Sequence, residues 1–139
     1  MHSLDGSASH LPVRVYYEDT DAAGVVYYAN YLKYCERART EWLRALGYAQ
    51  ESLRETRGRV FVVRSVAAEY LSSAQLDDLL DIETRVTELG RAKLTFTQRV
   101  LRDGQILFEA TVLIVCVDWN TRKPASIPAD LRSLMESPQ

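Results

Sequence analysis

Histidine is almost missing from this chain. There are two, His2 and His10, and both fall in the first ten residues. An imidazole acid–base centre in the body of the fold has no residue to build on. Cysteine is as scarce, with only Cys35 and Cys116. Neither has a second ligand at zinc spacing, so no metal is expected. Each sits inside an apolar pattern and reads as a buried thiol of a reducing compartment. No apolar run is long enough to span a bilayer. No positive n-region followed by an apolar h-region opens the chain, so no secretory signal is expected and a cytoplasmic location is. A charge surplus is also lacking: 17 basic against 19 acidic residues leave a net charge of -2. That balance offers no footprint for nucleic acid and no polybasic membrane patch.

What remains is an ordinary globular composition, 47% apolar and 26% charged over 139 residues. One domain is the natural expectation, residues 11–139, preceded by a flexible tail at 1–10. A strand pattern runs from Val13 to Glu18, with Val13, Val15 and Tyr17 on one side. The one long helix pattern follows, from about Asn30 to Leu46. Tyr31, Tyr34, Cys35, Ala38, Trp42, Ala45 and Leu46 form its apolar stripe. Asn30 is expected as the N-cap and Gly47 as the left-handed stop. A polar segment at 50–59 holds a short helix or none. Four strand patterns come next: Val60–Leu71, Leu80–Leu89, Arg91–Leu101 and Gln105–Trp119. Asp103-Gly104 is a strong hairpin signal between the last two. The last strand, long and apolar, is expected to be central and buried on both faces. Pro128 suits the first turn of a short C-terminal helix. The order predicts an α+β fold, an antiparallel five-stranded sheet wrapped around one long central helix. Such a sheet has open edges, so two copies pairing edge to edge, a homodimer or a homotetramer, are expected.

The stretch from Tyr17 to Tyr31 concentrates the chemistry. It holds Asp19, Asp21, Gly24, four tyrosines and a helix start. A carboxylate beside free helix N–H groups can attack, or activate water against, an electrophile whose oxygen those N–H groups stabilise. Asp19 reads as a loop cap and Asp21 as the working carboxylate. Gly24 either turns the chain or lets backbone approach a ligand. Tyr27, Tyr31 and Tyr34 either line a pocket or pack the core. Glu36, on the helix, is a second-choice acid whose ordinary role is an ion pair.

The run Tyr17-Glu18-Asp19-Thr20-Asp21-Ala22-Ala23-Gly24-Val25-Val26-Tyr27-Tyr28-Ala29-Asn30-Tyr31-Leu32, followed by Glu36-Arg37-Ala38-Arg39-Thr40-Glu41, resembles the opening of the hotdog-fold acyl-CoA thioesterases. The similarity is to the tol-pal-associated (YbgC-type) and 4-hydroxybenzoyl-CoA types. It implies a hotdog fold and hydrolysis of acyl-CoA at a dimer interface, with no cofactor beyond the coenzyme A of the substrate. It implies Asp21 as the catalytic carboxylate and the backbone N–H at Tyr28 as the donor to the thioester carbonyl. Many tol-pal-type members carry His where this chain has Tyr28. By the same resemblance Arg91 and Lys93 hold the nucleotide end of coenzyme A. Gly24, Val25, Tyr27, Asn30 and Tyr31 are the expected substrate contacts around the acyl group.

Four rivals stand beside an aliphatic acyl-CoA thioesterase. An aromatic, 4-hydroxybenzoyl-CoA-type enzyme would differ in pocket volume only. A non-catalytic module binding acyl-CoA or acyl carrier protein would not need Asp21. A hotdog dehydratase would need a histidine near the helix, and none is there. A DNA-binding regulator would need an added basic helix-turn-helix, for which the length leaves no room.

Overall fold

The computed structural model describes residues 2–3 and 8–136. Its elements are β1 (His2–Ser3), β2 (Ser9–Arg14), a 3-10 turn (Tyr17–Asp19), α1 (Asn30–Ala45), α2 (Gln50–Arg57), β3 (Arg59–Tyr70), β4 (Leu79–Leu89), β5 (Lys93–Arg102), β6 (Gln105–Asp118) and α3 (Ala129–Glu136). The sheet runs β1-β4-β5-β6-β3, with β2 also beside β4. Every pair is antiparallel.

Alternation builds the core face. Ile82, Thr84 and Val86 of β4 stand opposite Val100, Gln98 and Phe96 of β5. Val100, Gln98, Phe96 and Leu94 stand opposite Phe108, Ala110, Val112 and Ile114 of β6. All are buried. Tyr31, Tyr34, Cys35, Ala38 and Leu43 of α1 are buried in the same core. The connection from β5 to β6 is the expected hairpin. Asp103 has φ +50° and Gly104 φ +81°, the pair of left-handed residues that a tight hairpin with matched twist requires.

One polar cluster interrupts the apolar contact between α1 and the sheet. Gln98 is fully buried. Its Nε2 donates to the Cys35 carbonyl and to Thr84 Oγ1, both at 2.9 Å. Its Oε1 accepts from Arg39 Nη1 at 2.8 Å. Helix and sheet are thus held in register by directional bonds that apolar packing cannot supply. Burial lowers the Arg39 pKa.

β3 departs from the pattern. It pairs with β6 on one side only. From 62 to 70 every residue is exposed, including Val62, Val63, Val66 and Tyr70. Among the described residues nothing covers this long edge strand.

Several expectations need correction. The first strand is Ser9–Arg14, earlier than Val13–Glu18, because Thr20 bridges Val26 and pulls 17–19 into a turn. The residues read as a tail supply strand: β1 and the start of β2 pair with β4. Met1 and residues 4–7 lie outside the described residues. His10 Nδ1 lies within hydrogen-bond distance of the Asp81 carboxylate, at 2.9 Å, and so ties β2 to β4. The open reading at 50–59 resolves as the short helix α2, and the short helix expected after Pro128 is α3, so α1 is the long helix among the described residues. β6 is second from the sheet edge, not central.

Gln98→Leu keeps the volume but takes the donor from Thr84 Oγ1 and the acceptor from Arg39 Nη1, and the Cys35 carbonyl keeps only its helical bond. The expected loss is ~3 kcal/mol, the upper range for unpairing buried polar groups. Thermal unfolding should show Tm falling by about 10 °C. A loss below ~1 kcal/mol would mean that water replaces the side chain at no penalty.

Candidate active site

The loop ahead of α1 is a small hairpin. The Asp21 N–H donates to the Val25 carbonyl at 2.9 Å, and the Gly24 N–H donates to the Asp21 carbonyl at 3.0 Å. Asp21 Oδ1 accepts the Ala23 N–H at 2.9 Å, the self-bonded turn that aspartate makes readily. Gly24 sits at φ +81°, and a Cβ there would meet nothing within 4 Å. Within one chain it is needed for its backbone sign, not to make room. The far arm is stitched down: Val25 bridges Gln75, and the Val26 N–H donates to the Ala74 carbonyl at 2.8 Å. The Ala74 N–H in turn donates to the Tyr31 hydroxyl at 2.9 Å.

The two aspartates divide as expected. Asp19 holds the loop: its Oδ2 accepts the Tyr16 N–H at 2.8 Å, and its carbonyl accepts the Tyr27 N–H at 3.0 Å and Asn30 Nδ2 at 2.9 Å. Asp21 is exposed, and its second carboxylate oxygen takes no hydrogen bond among the described residues. That oxygen is free for chemistry.

Asn30 does not cap α1. It is the first helical residue, Ala29 precedes it with no side-chain cap, and its amide donates back to Asp19. At the helix start the Asn30 and Leu32 N–H groups already donate to the Tyr27 and Ala29 carbonyls, at 2.8 and 3.2 Å, so the open donor lies just ahead of α1, at Tyr28. The Tyr28 carbonyl accepts the Tyr70 hydroxyl at 3.0 Å, which fixes this peptide, while its N–H has no partner among the described residues. The Tyr28 ring is 61% exposed. It lies 4.8 Å from the Tyr27 ring and 6.1 Å from the Tyr70 ring. A hydrogen bond with Tyr28 raises the Tyr27 pKa, so its proton stays on at neutral pH.

Tyr31 is not a pocket wall. It is 3% exposed and stacks on Phe108 at 5.2 Å. Burial, first, raises its pKa and keeps its hydroxyl neutral. Tyr70 is the residue that sequence reasoning passed over. It joins Tyr28, Tyr31 and Phe108 into one cluster, with ring separations of 6.1, 5.6 and 4.9 Å. Its only sequence signal was an aromatic at the end of a strand pattern.

Arg91 and Lys93 do not share a strand. β5 begins at Lys93, and Arg91 lies in the preceding bend with Nη1 donating to Ser126 Oγ at 2.6 Å. Both line one exposed groove with Arg64, Gly90 and Pro124. In this chain the groove is far from Asp21. Lys93 pairs with Val115 and Val115 with Val62, whereas Tyr70 marks the site end of β3. Eight residues separate those rows, about 26 Å of strand at ~3.3 Å per residue.

A cavity of about 160 Å³ opens behind the other half of β3. Phe61, Val63, Leu94, Phe96 and Ile114 form its apolar wall, and Glu36, Arg39 and Gln50 are its polar lining. Glu36 is exposed and far along α1 from the Asp21 loop. Burial raises the pKa of Cys35 to about 12 and of Cys116 to about 11, so neither thiol is a nucleophile at neutral pH. Among the described residues no cluster of His, Cys, Asp and Glu could hold a metal, and no helix is long and apolar enough to cross a membrane.

Residues 15–134 match the model of the Thioesterase-like superfamily. The chain is 49% identical over 130 residues to the acyl-CoA thioesterase YbgC of Haemophilus influenzae, covering 94% of this chain and 95% of that one. It is 36% identical over 133 residues to the acyl-CoA thioesterase YbgC of Helicobacter pylori, covering 89% and 97%. A probable thioesterase from Bartonella henselae superposes with a TM-score of 0.84 at 36% identity, covering 88% of this chain and all of that one. A 4-hydroxybenzoyl CoA thioesterase variant complexed with 4-hydroxybenzoyl CoA superposes with a TM-score of 0.87 at 24% identity, over 94% of this chain and 99% of that one, a likeness of fold. The sheet, the helix laid on it and these matches agree: the chain is a hotdog-fold protein and belongs to the Thioesterase-like superfamily.

Proposed function

We propose that this protein hydrolyses the thioester of acyl-CoA, with Asp21 as the reacting carboxylate and the Tyr28 N–H at the start of α1 as the donor to the carbonyl oxygen. The observation that carries this reading is the uncommitted oxygen of Asp21, held on a stitched hairpin just ahead of an uncapped helix, in a chain so similar to proteins named acyl-CoA thioesterases. Asp21 acts in one of two ways. As nucleophile it attacks the carbonyl carbon, the C–S bond breaks, coenzyme A leaves as thiolate, and water then opens the mixed anhydride. As general base it takes a proton from water, whose oxygen attacks instead. Either route consumes one water and gives a free acid and a thiol. In both, charge grows on the carbonyl oxygen, where an aligned N–H donor is worth ~3 kcal/mol.

Assembly completes the site. The exposed run 62–70 of β3 is centred on Val66. A two-fold axis there would lay two β3 edges together antiparallel and set residue 62 of one copy beside residue 70 of the other. The groove of Arg64, Arg91 and Lys93 in one copy then adjoins the Asp21 loop of the other, and so does the cavity lined by Phe61 and Val63. Acyl-CoA is the partner this arrangement fits: phosphates on the cations, thioester at Asp21, acyl chain toward the cavity. An acyl carrier protein would present the same thioester without the nucleotide.

At micromolar concentration, sedimentation should show a dimer or a tetramer. Val66→Arg puts like charges face to face on the axis and should shift the protein to monomer with loss of turnover. A fully active wild-type monomer would sink the shared site. Replacing both Arg91 and Lys93 with Ala should raise KM for acyl-CoA and weaken its salt dependence, and spare a short thioester lacking the nucleotide. Equal loss on both substrates would remove the phosphate role.

Asp21→Asn is nearly isosteric, so fold and assembly should persist. Thiol release should drop in kcat by at least ~10²-fold, the low end for a positioned base. A non-hydrolysable acyl-CoA analogue should bind nearly as before, because the carboxylate acts in the transition state. Asp19→Asn and Glu36→Gln should lose much less. Were Glu36→Gln inactive and Asp21→Asn active, the reacting acid would be on the helix.

A further inference from the structure

Tyr34 carries a polar atom with no use in the fold. The residue is 1% exposed, and its hydroxyl is buried with no hydrogen-bond partner. Such a group is destabilising, and phenylalanine would fill the same space without it. The surroundings indicate what the hydroxyl is for. Asn30 and Tyr34 are four residues apart and so share one face of α1. Asn30 Nδ2 holds the Asp19 carbonyl over that face at 2.9 Å. The Asp19 carboxylate stops short of a normal hydrogen bond to the Tyr34 hydroxyl. It is close enough that, after burial, it is the main influence holding the phenol proton on. The other near groups are the Arg37 guanidinium, 5.9 Å over the ring, and the Tyr31 ring at 6.3 Å. Neither is an acceptor for this proton.

Resting on the catalytic reading of Asp21, we propose that the Tyr34 hydroxyl donates to the Asp19 carboxylate when substrate fills the site, and that this bond positions Asp21. Asp19 and Asp21 lie on the same arm of the hairpin, so a small inward shift of one carries the other. The Tyr16 N–H already holds Asp19 Oδ2 at 2.8 Å, and the loop pivots on the bonds from Tyr27 and Asn30 to the Asp19 carbonyl. Tyr34 touches no reacting atom. It is a positioning residue.

The test is Tyr34→Phe in the full chain, measured by thiol release and thermal unfolding. Tm should stay level or rise, since an orphaned hydroxyl is removed. kcat should fall about tenfold with KM unchanged, short of the ~10²-fold loss that ångström-scale misplacement of a reacting group can give. Adding Tyr34→Phe to Asp19→Ala should slow the enzyme no further, because Asp19→Ala has already removed the acceptor of the Tyr34 hydroxyl. Wild-type turnover in Tyr34→Phe overturns the proposal. So does a lowered Tm with kcat and KM disturbed together, or losses that add in the double variant. Asp21→Asn run alongside separates the two readings. If Asp21→Asn is inactive and Tyr34→Phe is as fast as wild type, only the positioning role fails. If Asp21→Asn stays active, the catalytic reading itself fails.

Discussion

A row of backbone N–H and C=O groups along the outer edge of β3 has no partner in the chain, and much else in the molecule follows from that. The other long strands meet a neighbour on both sides: β4 has β2 and β1 as well as β5, and β6 has β5 and β3. Only β3 ends the sheet with a long, apolar, two-sided exposed run. Edge strands of soluble proteins are normally kept short, charged, kinked or covered. Arg64 and Glu69 put charges on this run, and the register slip between Val63 and Ser65 faces β6. In the proposed dimer this edge pairs with that of a second copy. The Tyr70 end of the strand lies beside the Asp21 loop and the Val62 end beside the cations.

What the sequence made legible was local chemistry. Asp103-Gly104 and Gly47 act through their own φ angles, so their turns were readable without any partner. The stripe of α1 was readable from Tyr31 to Ala38, where helical spacing and burial coincide; farther along, Leu43 is buried and Ala45 exposed, against the expected stripe. The Asp19/Asp21 division was readable because one aspartate in a tight turn is spent on backbone and the other is left over. The misreadings all involve contacts between distant residues. The alternation of Val13, Val15 and Tyr17 looked like strand, but the Thr20–Val26 bridge ends the extended chain before Tyr17. Asn30 looked like an acceptor cap. It became a donor because the Asp19 carbonyl came within 2.9 Å. Arg91 and Lys93 looked like strand neighbours, yet the strand starts one residue after Ala92. Tyr70 carried no expected role, because only Phe108, far along the chain, gathers it into one cluster with Tyr31. Glu36 stayed ambiguous in the sequence because helical spacing says nothing about which end of the helix faces the site.

The chemistry available here is sparse. Both histidines lie outside the site, and both thiols are buried and held protonated. That leaves one carboxylate and the peptide N–H groups at a helix start. Neither is a potent reagent alone. A carboxylate is a weak nucleophile, and a peptide N–H stabilises charge only if it is aimed where the charge will form. Their effectiveness therefore depends on position, and position here is set by bonds that do no chemistry: Tyr70 to the Tyr28 carbonyl, Tyr31 to Ala74, Ala74 to Val26, Asn30 to Asp19. Three of these four use a tyrosine or asparagine from the very stretch that holds Asp21.

That economy explains the crowding of aromatic hydroxyls around the loop. A tyrosine supplies a rigid, apolar body for the core and one polar atom at a fixed distance from the backbone. Tyr31 and Tyr70 each bury or stack the ring and use the hydroxyl to hold a loop peptide. Tyr34 also has its ring in the core, and its buried hydroxyl has no partner; in the proposed role it too would hold the loop. Phenylalanine would serve for packing at all three positions. The tyrosines make sense as struts, because a site that relies on one carboxylate and one N–H needs its loop held from several directions at once.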